Sequence, residues 1–334
     1  MQSQLQKIGV LGAGAWGTAL ACVAKRAGRD VVLWAHEPDV VEAINSDGVN
    51  PLFLPDIQLE PQIRATSDIT EAIDADIVLI VTPAQFLRPV TSELTSRWNS
   101  GVPAVLCAKG IEHGSLKLMS EVVAETLPDA PVAVLSGPTF AAEVARGLPT
   151  AVTLAVADTG LQHAIADALA APGFRLYRSD DVVGAEVGGV VKNVLAIACG
   201  ISEGRGLGDN ARAALITRGL AEIVRLGRVR GGKPETFMGL SGLGDLTLTC
   251  NAMQSRNFSL GVALGEGAAL GEILSTRRTV AEGVFSAAAI TELAGKLSIE
   301  MPICKAVDAV INHAADISET IADLLARPVK VELP

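Results

Sequence analysis

Lys7-Ile-Gly-Val-Leu-Gly-Ala-Gly-Ala-Trp-Gly17 reads as a strand running straight into a glycine-rich turn. Apolar Ile8, Val10 and Leu11 lead into Gly12, and an alanine-rich helix is predicted from Trp16 to Ala27. In that context each glycine of the G-x-G-x-x-G spacing has a physical task. Gly12 permits the tight turn, Gly14 lets the backbone approach a pyrophosphate, and Gly17 allows the helix to pack closely on the strand. The N–H groups at the helix start, with the helix dipole behind them, would hold the phosphates. The stretch points to a dinucleotide and leaves the substrate open.

Outward from this loop, apolar β-rich runs recur at Val31–Trp34, Ile77–Val81, Val102–Cys107, Val132–Leu135, Ala151–Val156 and Phe174–Tyr177, with helical-period segments such as Gln85–Trp98 and Leu161–Ala170 between them. Near-continuous apolar strands separated by helices predict an α/β fold of the Rossmann-like, doubly wound type, with a mainly parallel sheet covered on both faces. After Asp181 the pattern becomes helical, from Val182 to Glu203, Ala211 to Leu226 and through most of the tail. At 334 residues the chain exceeds one typical core. Two domains are expected: a dinucleotide-binding domain over 1–185 and an all-helical substrate domain over 186–334.

The net charge of −10 argues against general nucleic-acid binding but leaves room for a locally positive pocket. The five cysteines are far apart without a C-x-x-C, and the four histidines show no metal-ligand spacing, so reduced thiols and no metal are expected. The apolar run from Lys7 to Val23 resembles a short signal peptide, but its four glycines are accounted for by the nucleotide loop. No later run reads as long and uncharged enough to span a bilayer.

Several segments carry candidate chemistry. An acidic residue about 20 positions past the loop marks an NAD site. Here Leu33-Trp-Ala-His-Glu37 places His36 and Glu37 near the strand end, and NAD and NADP both stay open. Lys109 follows a predicted strand, where open α/β sheets bind ligands, but it also reads as a solvated loop lysine. In Ser136-Gly-Pro-Thr-Phe-Ala141, Gly137 and Pro138 force a turn and Thr139 reads as a helix cap, though the exposed N–H groups would equally suit a ligand. Lys192-Asn193 lies in an apolar, glycine-rich helix, where partial burial would lower the lysine pKa into a range useful for proton transfer. Gly239–Cys250 reads as a turn presenting Asp245 and Thr249, without a strand before it to make a second nucleotide loop. Ser255-Arg256-Asn257 offers an arginine fork suited to a phosphate dianion, or a plain surface feature.

Taken together, these motifs resemble those of the bacterial-type NAD(P)-dependent sn-glycerol-3-phosphate dehydrogenases over nearly the whole chain. The resemblance rests on G-A-G-A-W-G-T-A at 12–19, S-G-P-T-F-A at 136–141, V-K-N at 191–193, G-L-S-G-L-G-D-L-T-L-T-C at 239–250, S-R-N-F at 255–258 and V-A-E-G-V at 280–284. It implies interconversion of dihydroxyacetone phosphate and sn-glycerol 3-phosphate by hydride transfer with NAD(P)H, feeding glycerophospholipid synthesis. Lys192 would be the proton donor and acceptor. Lys109 would touch substrate and cofactor, Gly137 and Thr139 would line the substrate site, and Asp245 would bind substrate and orient Lys192, supported by Asn193 and Thr249. Arg256 and Asn257 would hold the phosphate beside Ser255.

On the cofactor side the resemblance implies Gly12, Gly14, Ala15, Trp16, Gly17, His36, Ala141, Val280 and Glu282, with Lys109 and Arg256 bordering it. Ala15 stands where the family usually has serine, so only backbone contacts to the pyrophosphate are expected there. A cytoplasmic homodimer is implied, with no nucleic acid and no stable membrane insertion. The rivals are a related hydroxyacid dehydrogenase of similar fold and a non-catalytic nucleotide-sensing module. The Ser255–Asn257 group argues against the first, and the presence of both Lys109 and Lys192 against the second.

Overall fold

The computed structural model describes residues 5–276, 281–328 and 331–332. Strand β1 (Lys7–Leu11) leads into helix α1 (Ala15–Arg26), and the alternation continues through β2 (Asp30–Trp34), α2 (Pro38–Asp47), the short antiparallel pair β3 (Val49–Asn50) and β4 (Leu54–Gln58), then β5 (Arg64–Thr66), α3 (Ile69–Ile73) and β6 (Ile77–Ile80). It runs on through α4 (Leu87–Leu94), β7 (Ala104–Leu106), α5 (Met119–Thr126), β8 (Val132–Ser136), α6 (Ala141–Ala145), β9 (Thr150–Val156), α7 (Thr159–Ala168) and β10 (Phe174–Ser179). Helices follow: α8 (Val182–Gly204), α9 (Gly208–Val229), α10 (Pro234–Phe237), α11 (Asp245–Cys250), α12 (Arg256–Gly265), α13 (Leu270–Thr276), α14 (Glu282–Lys296), α15 (Pro302–Asn312) and α16 (Ile317–Leu325).

Eight strands form one sheet in the order β10-β9-β8-β7-β6-β1-β2-β5. It is parallel except where β9 runs against β8, so the expected Rossmann-like, mainly parallel sheet with a helical C-terminal half is what the chain adopts. The strands read as unbroken apolar runs because both faces are covered: all four residues of β6 are buried, as are Ile8, Val10 and Leu11 of β1. On β1 the register sets Val10 beside Leu33 of β2 and beside Leu79 of β6. The strand order reverses there, leaving a crevice at the carboxyl end of β1.

Helix α8 is the axis of the second half. The Asp181 carboxylate caps it by accepting from Gly184 N, and also accepts from Lys233 N. Val182 and Ala185 pack with the sheet-side core, whereas Val187 to Ile201 pack among the helices. Against α12 the backbones meet directly: a Cβ on Gly200 would lie 2.1 Å from Phe258 O, and one on Gly261 would lie 2.2 Å from Ile197 O. Of the described helices, α8 has the length and apolar composition that could cross a membrane, contrary to the sequence expectation that no later run would. Its apolarity has another cause, because the helix is surrounded by protein on nearly all sides.

A buried carboxylate is among the contacts that join the halves near the start of α8. Buried Glu186 accepts hydrogen bonds from Ser120 N at 2.8 Å and Ser120 Oγ at 2.5 Å, satisfying the first turn of α5. Burial raises its carboxyl to about 7, partly offset by those two bonds.

Candidate active site

The crevice at the end of β1 is made of backbone. Gly12 holds φ +115°, a left-handed conformation that disfavours a side chain, and a Cβ on Gly17 would lie 1.8 Å from Gly12 O. Gly14 has open space where a Cβ would be, and as the N-cap of α1 it carries no side chain to cap the first-turn N–H groups. The Trp16 indole N–H is buried without a partner among the described residues. A cradle that disfavours side chains at Gly12 and Gly17 and is open at Gly14, a first turn without a side-chain cap and the orphaned indole N–H fit a dinucleotide diphosphate. The loop is pinned from below by fully buried Asn50, whose Nδ2 donates to Ala13 O and Thr18 Oγ1, both at 2.8 Å. Asn50 was not singled out by the sequence reading, since one asparagine in a two-residue strand carries no motif.

At the rim, His36 is exposed and meets the Trp34 ring edge-on, with centroids 6.4 Å apart. Glu37 is the N-cap position of α2 without a side-chain cap bond, so its carboxylate is not used to start the helix. Ala15 is the first helical residue of α1 and Ala141 the first of α6. Val280 lies outside the described residues.

The other end is made of side chains. Asp245, fully buried at the start of α11, receives Lys192 Nζ on Oδ1 at 2.5 Å and Lys109 Nζ on Oδ2 at 2.7 Å. Lys109, just beyond β7, also donates to Gly137 O at 2.9 Å, joining two strand ends. Lys192 Nζ donates to Thr249 Oγ1 at 3.0 Å, and Thr249 Oγ1 donates to Asp245 O at 2.6 Å. Two of the three ammonium protons are thus committed, which leaves one for a ligand oxygen. Burial lowers the Lys192 pKa to about 8; Asp245 opposes the shift and Lys109 adds to it.

Ser255 caps α12 through Phe258 N at 3.2 Å, which puts Arg256 in the first turn of that helix, at the positive end of its dipole. Asn257 Nδ2 donates to Asn193 Oδ1 at 3.0 Å. Burial raises the Glu282 carboxyl, opposed by Arg256, Lys192 and Lys109 in that order, so these four charges share one region.

Two local expectations are corrected. Thr139 does not cap a helix: α6 begins after Phe140, which takes the N-cap position with extended backbone, and Thr139 Oγ1 donates to Gly137 O at 3.3 Å. The Gly239–Cys250 segment presents Asp245 and Thr249 from helix rather than from an open turn. Residues Leu240–Gly244 wind as one wide π-helical turn that continues into α11. The Ser241 carbonyl sits so close to Gly188 of α8 that a Cβ there would be 2.4 Å away, and the wide turn accommodates this contact. Among the described residues no group of three or more His, Cys, Asp or Glu gathers as a metal site.

A backbone phosphate cradle at the switch point of a parallel sheet, beside a buried lysine–carboxylate–lysine cluster, defines a nicotinamide-dinucleotide oxidoreductase. Comparison with known proteins gives the particular kind. The family description NAD-dependent glycerol-3-phosphate dehydrogenase N-terminus matches residues 7–162, and its C-terminus counterpart matches 181–322. The chain belongs to this family. It is 58% identical over 333 residues to glycerol-3-phosphate dehydrogenase [NAD(P)+] of Rhodospirillum rubrum, covering 99% of this chain and 95% of that one. Identity to the protein of the same name from Caulobacter vibrioides is 56%, over 98% and 99% of the two chains. The crystal structure of glycerol-3-phosphate dehydrogenase from Coxiella burnetii superposes with a TM-score of 0.93 at 42% identity, over 97% of this chain and 100% of that one.

Proposed function

We propose that the protein interconverts dihydroxyacetone phosphate and sn-glycerol 3-phosphate with NAD(P)H, with Lys192 moving the proton. The observation that carries this reading is Asp245, one buried carboxylate holding Lys109 from the sheet half and Lys192 from the helical half. Bound NAD(P)H supplies the hydride to the substrate C2. Lys192 gives its uncommitted proton to the carbonyl oxygen as negative charge develops there, and takes it back in the reverse direction. Asp245 and Thr249 fix the direction in which that ammonium points, and a pKa near 8 keeps both protonation states accessible. Arg256 at the start of α12 anchors the substrate phosphate beside Ser255 and Asn257, so that binding energy remote from C2 positions the reacting carbon.

Gly137 and Thr139 line the substrate, and Lys109 stands between substrate and cofactor. Gly12, Gly14, Ala15, Trp16 and Gly17 hold the diphosphate through backbone and indole N–H groups. His36 and Ala141 border the dinucleotide, with Glu282 over it. The division of labour follows a domain boundary near residue 185, within the first turns of α8. The product is then the glycerol backbone of glycerophospholipids.

We further propose a cytoplasmic homodimer. All five cysteines are buried free thiols, as a reducing compartment allows. A groove of about 810 Å³ runs between α9, α15 and α16, lined by apolar side chains such as Leu215, Val310, Ile321 and Leu324. No residue of α16 is buried. Arg218, Arg225, Glu300 and Glu332 also line the groove, and such a mixture of signs suits a self-complementary face.

The test is spectrophotometric: NADH and NADPH oxidation with dihydroxyacetone phosphate, with unphosphorylated dihydroxyacetone and a 2-oxoacid as comparisons. Turnover specific to the phosphorylated substrate is expected. Equal turnover of dihydroxyacetone, or preference for the oxoacid, overturns the assignment.

A further inference from the structure

Helix α14 begins at Glu282, and its N-cap residue, Ala281, has no side-chain oxygen to offer the first-turn N–H groups. The missing acceptor comes from another helix. Asn257 Oδ1, on α12, accepts from Gly283 N at 3.0 Å, while its Nδ2 donates to Asn193 Oδ1 on α8 at 3.0 Å. Asn193 Nδ2 reaches the Lys109 carbonyl at 3.4 Å, the loosest link of the series. Both asparagines are buried, and the N–H at one end fixes which way each carboxamide faces. A continuous run of amides thus joins the loop after β7 to α8, α12 and the first turn of α14.

What this run positions is the start of α14. Glu282 is the first helical residue there, and the cation that acts on it most strongly is Arg256, the chain neighbour of Asn257. We infer that Asn257 is a positioning residue for the cofactor: its carboxamide caps α14 from outside and thereby sets Glu282 against the dinucleotide. A role at the substrate phosphate alone would not require both ends of the carboxamide to be bonded inward. The inference rests on the reading above in which Glu282 borders the cofactor.

The experiment titrates NADH and NADPH onto the full-length protein without substrate, following nucleotide fluorescence, and separately measures KM for dihydroxyacetone phosphate. Asn257→Ala should weaken binary cofactor binding about five-fold or more, in the range of a lost helix cap. Adding Ala281→Ser should bring it back to within about two-fold of the parent, because the extended backbone at residue 281 (φ −70°, ψ 121°) suits a capping hydroxyl. Thermal unfolding of each variant shows whether it folds. Should Asn257→Ala not fold, Asn257→Asp retains the acceptor toward Gly283, and cofactor binding should stay within about three-fold.

The inference is overturned if Asn257→Ala binds cofactor within two-fold of the parent and only the substrate KM rises. It is equally overturned if a folded double variant shows no recovery, or if Asn257→Asp loses cofactor by more than ten-fold. Glu282→Ala that binds NADH and NADPH as tightly as the parent would instead remove the reading on which the inference rests, that Glu282 borders the cofactor, whatever Asn257 does.

Discussion

The two ends of the site are built from different materials. The nucleotide end is backbone, shaped by residues that lack side chains, all within the six positions Gly12 to Gly17. The proton-transfer end is side chain, and its members are separated by 136 positions (Lys109 to Asp245) and 53 positions (Lys192 to Asp245). A backbone site is defined by what must be missing, so it fails when an atom is added. A side-chain site is defined by a few polar atoms in register, so it fails when one is removed.

The largest expected effect comes from removing such an atom. Lys192→Ala should lower kcat by about 10³-fold, within the span of positioned acid–base groups, with NADH affinity within about two-fold of the parent; retained turnover would dissolve the contrast at its side-chain end. On the proposed mechanism reduction in the parent draws on the charged lysine, so its kcat should fall as pH rises through about 8, while oxidation, which draws on the neutral amine, should rise over the same interval. A reduction rate flat across that interval would exclude Lys192 as the donor.

An intermediate effect comes from adding atoms at the other end. Gly17→Val puts a branched side chain where the Gly12 carbonyl lies, and should cost about 2 kcal/mol of stability, as overpacking does. Cofactor binding should weaken about ten-fold, read by thermal unfolding and NADH titration, and an unchanged titration would show that the loop yields more than its geometry implies. The smallest effect is expected at Ala15→Ser. If backbone holds the diphosphate as proposed, the new hydroxyl should change NADH affinity by no more than about two-fold; a ten-fold gain would show that side chains matter there after all.

How far each end could be read from sequence follows the same division. The glycine loop was legible because its spacing, strand and helix are contiguous. The sheet was legible because strands buried on both faces, such as Ile77–Ile80, are unbroken apolar runs. Lys109 taken alone could not be told from a loop lysine, since the partner that identifies it lies in another half of the chain; only the family motifs brought the two together. Thr139 was misread because a cap depends on where a helix starts, and α6 starts after Phe140. Short β3, β4 and β5 escaped because mixed exposure breaks their pattern. Glu186 and Glu222 escaped because a buried carboxylate that satisfies the first turn of another helix, as Glu222 does through Ile303 N and Cys304 N, looks in sequence like any surface glutamate.

Helix α8 has a consequence for how such a protein can be recombined. The two family segments that match the chain end at 162 and resume at 181, as if the halves were exchangeable cassettes with a seam between them. The seam is not neutral. The opening turns of α8 pack on the sheet through Val182 and Ala185, and Ser120 satisfies Glu186 with two hydrogen bonds. A graft made at that seam carries those three residues into a foreign sheet, and a donor sheet without a hydroxyl and a free N–H at the place of Ser120 strands a buried carboxylate less than two turns before Lys192 on the same helix. Crossovers between relatives should therefore need compatible halves, matched at residues 120 and 186 as well as at the Lys109–Asp245 pair.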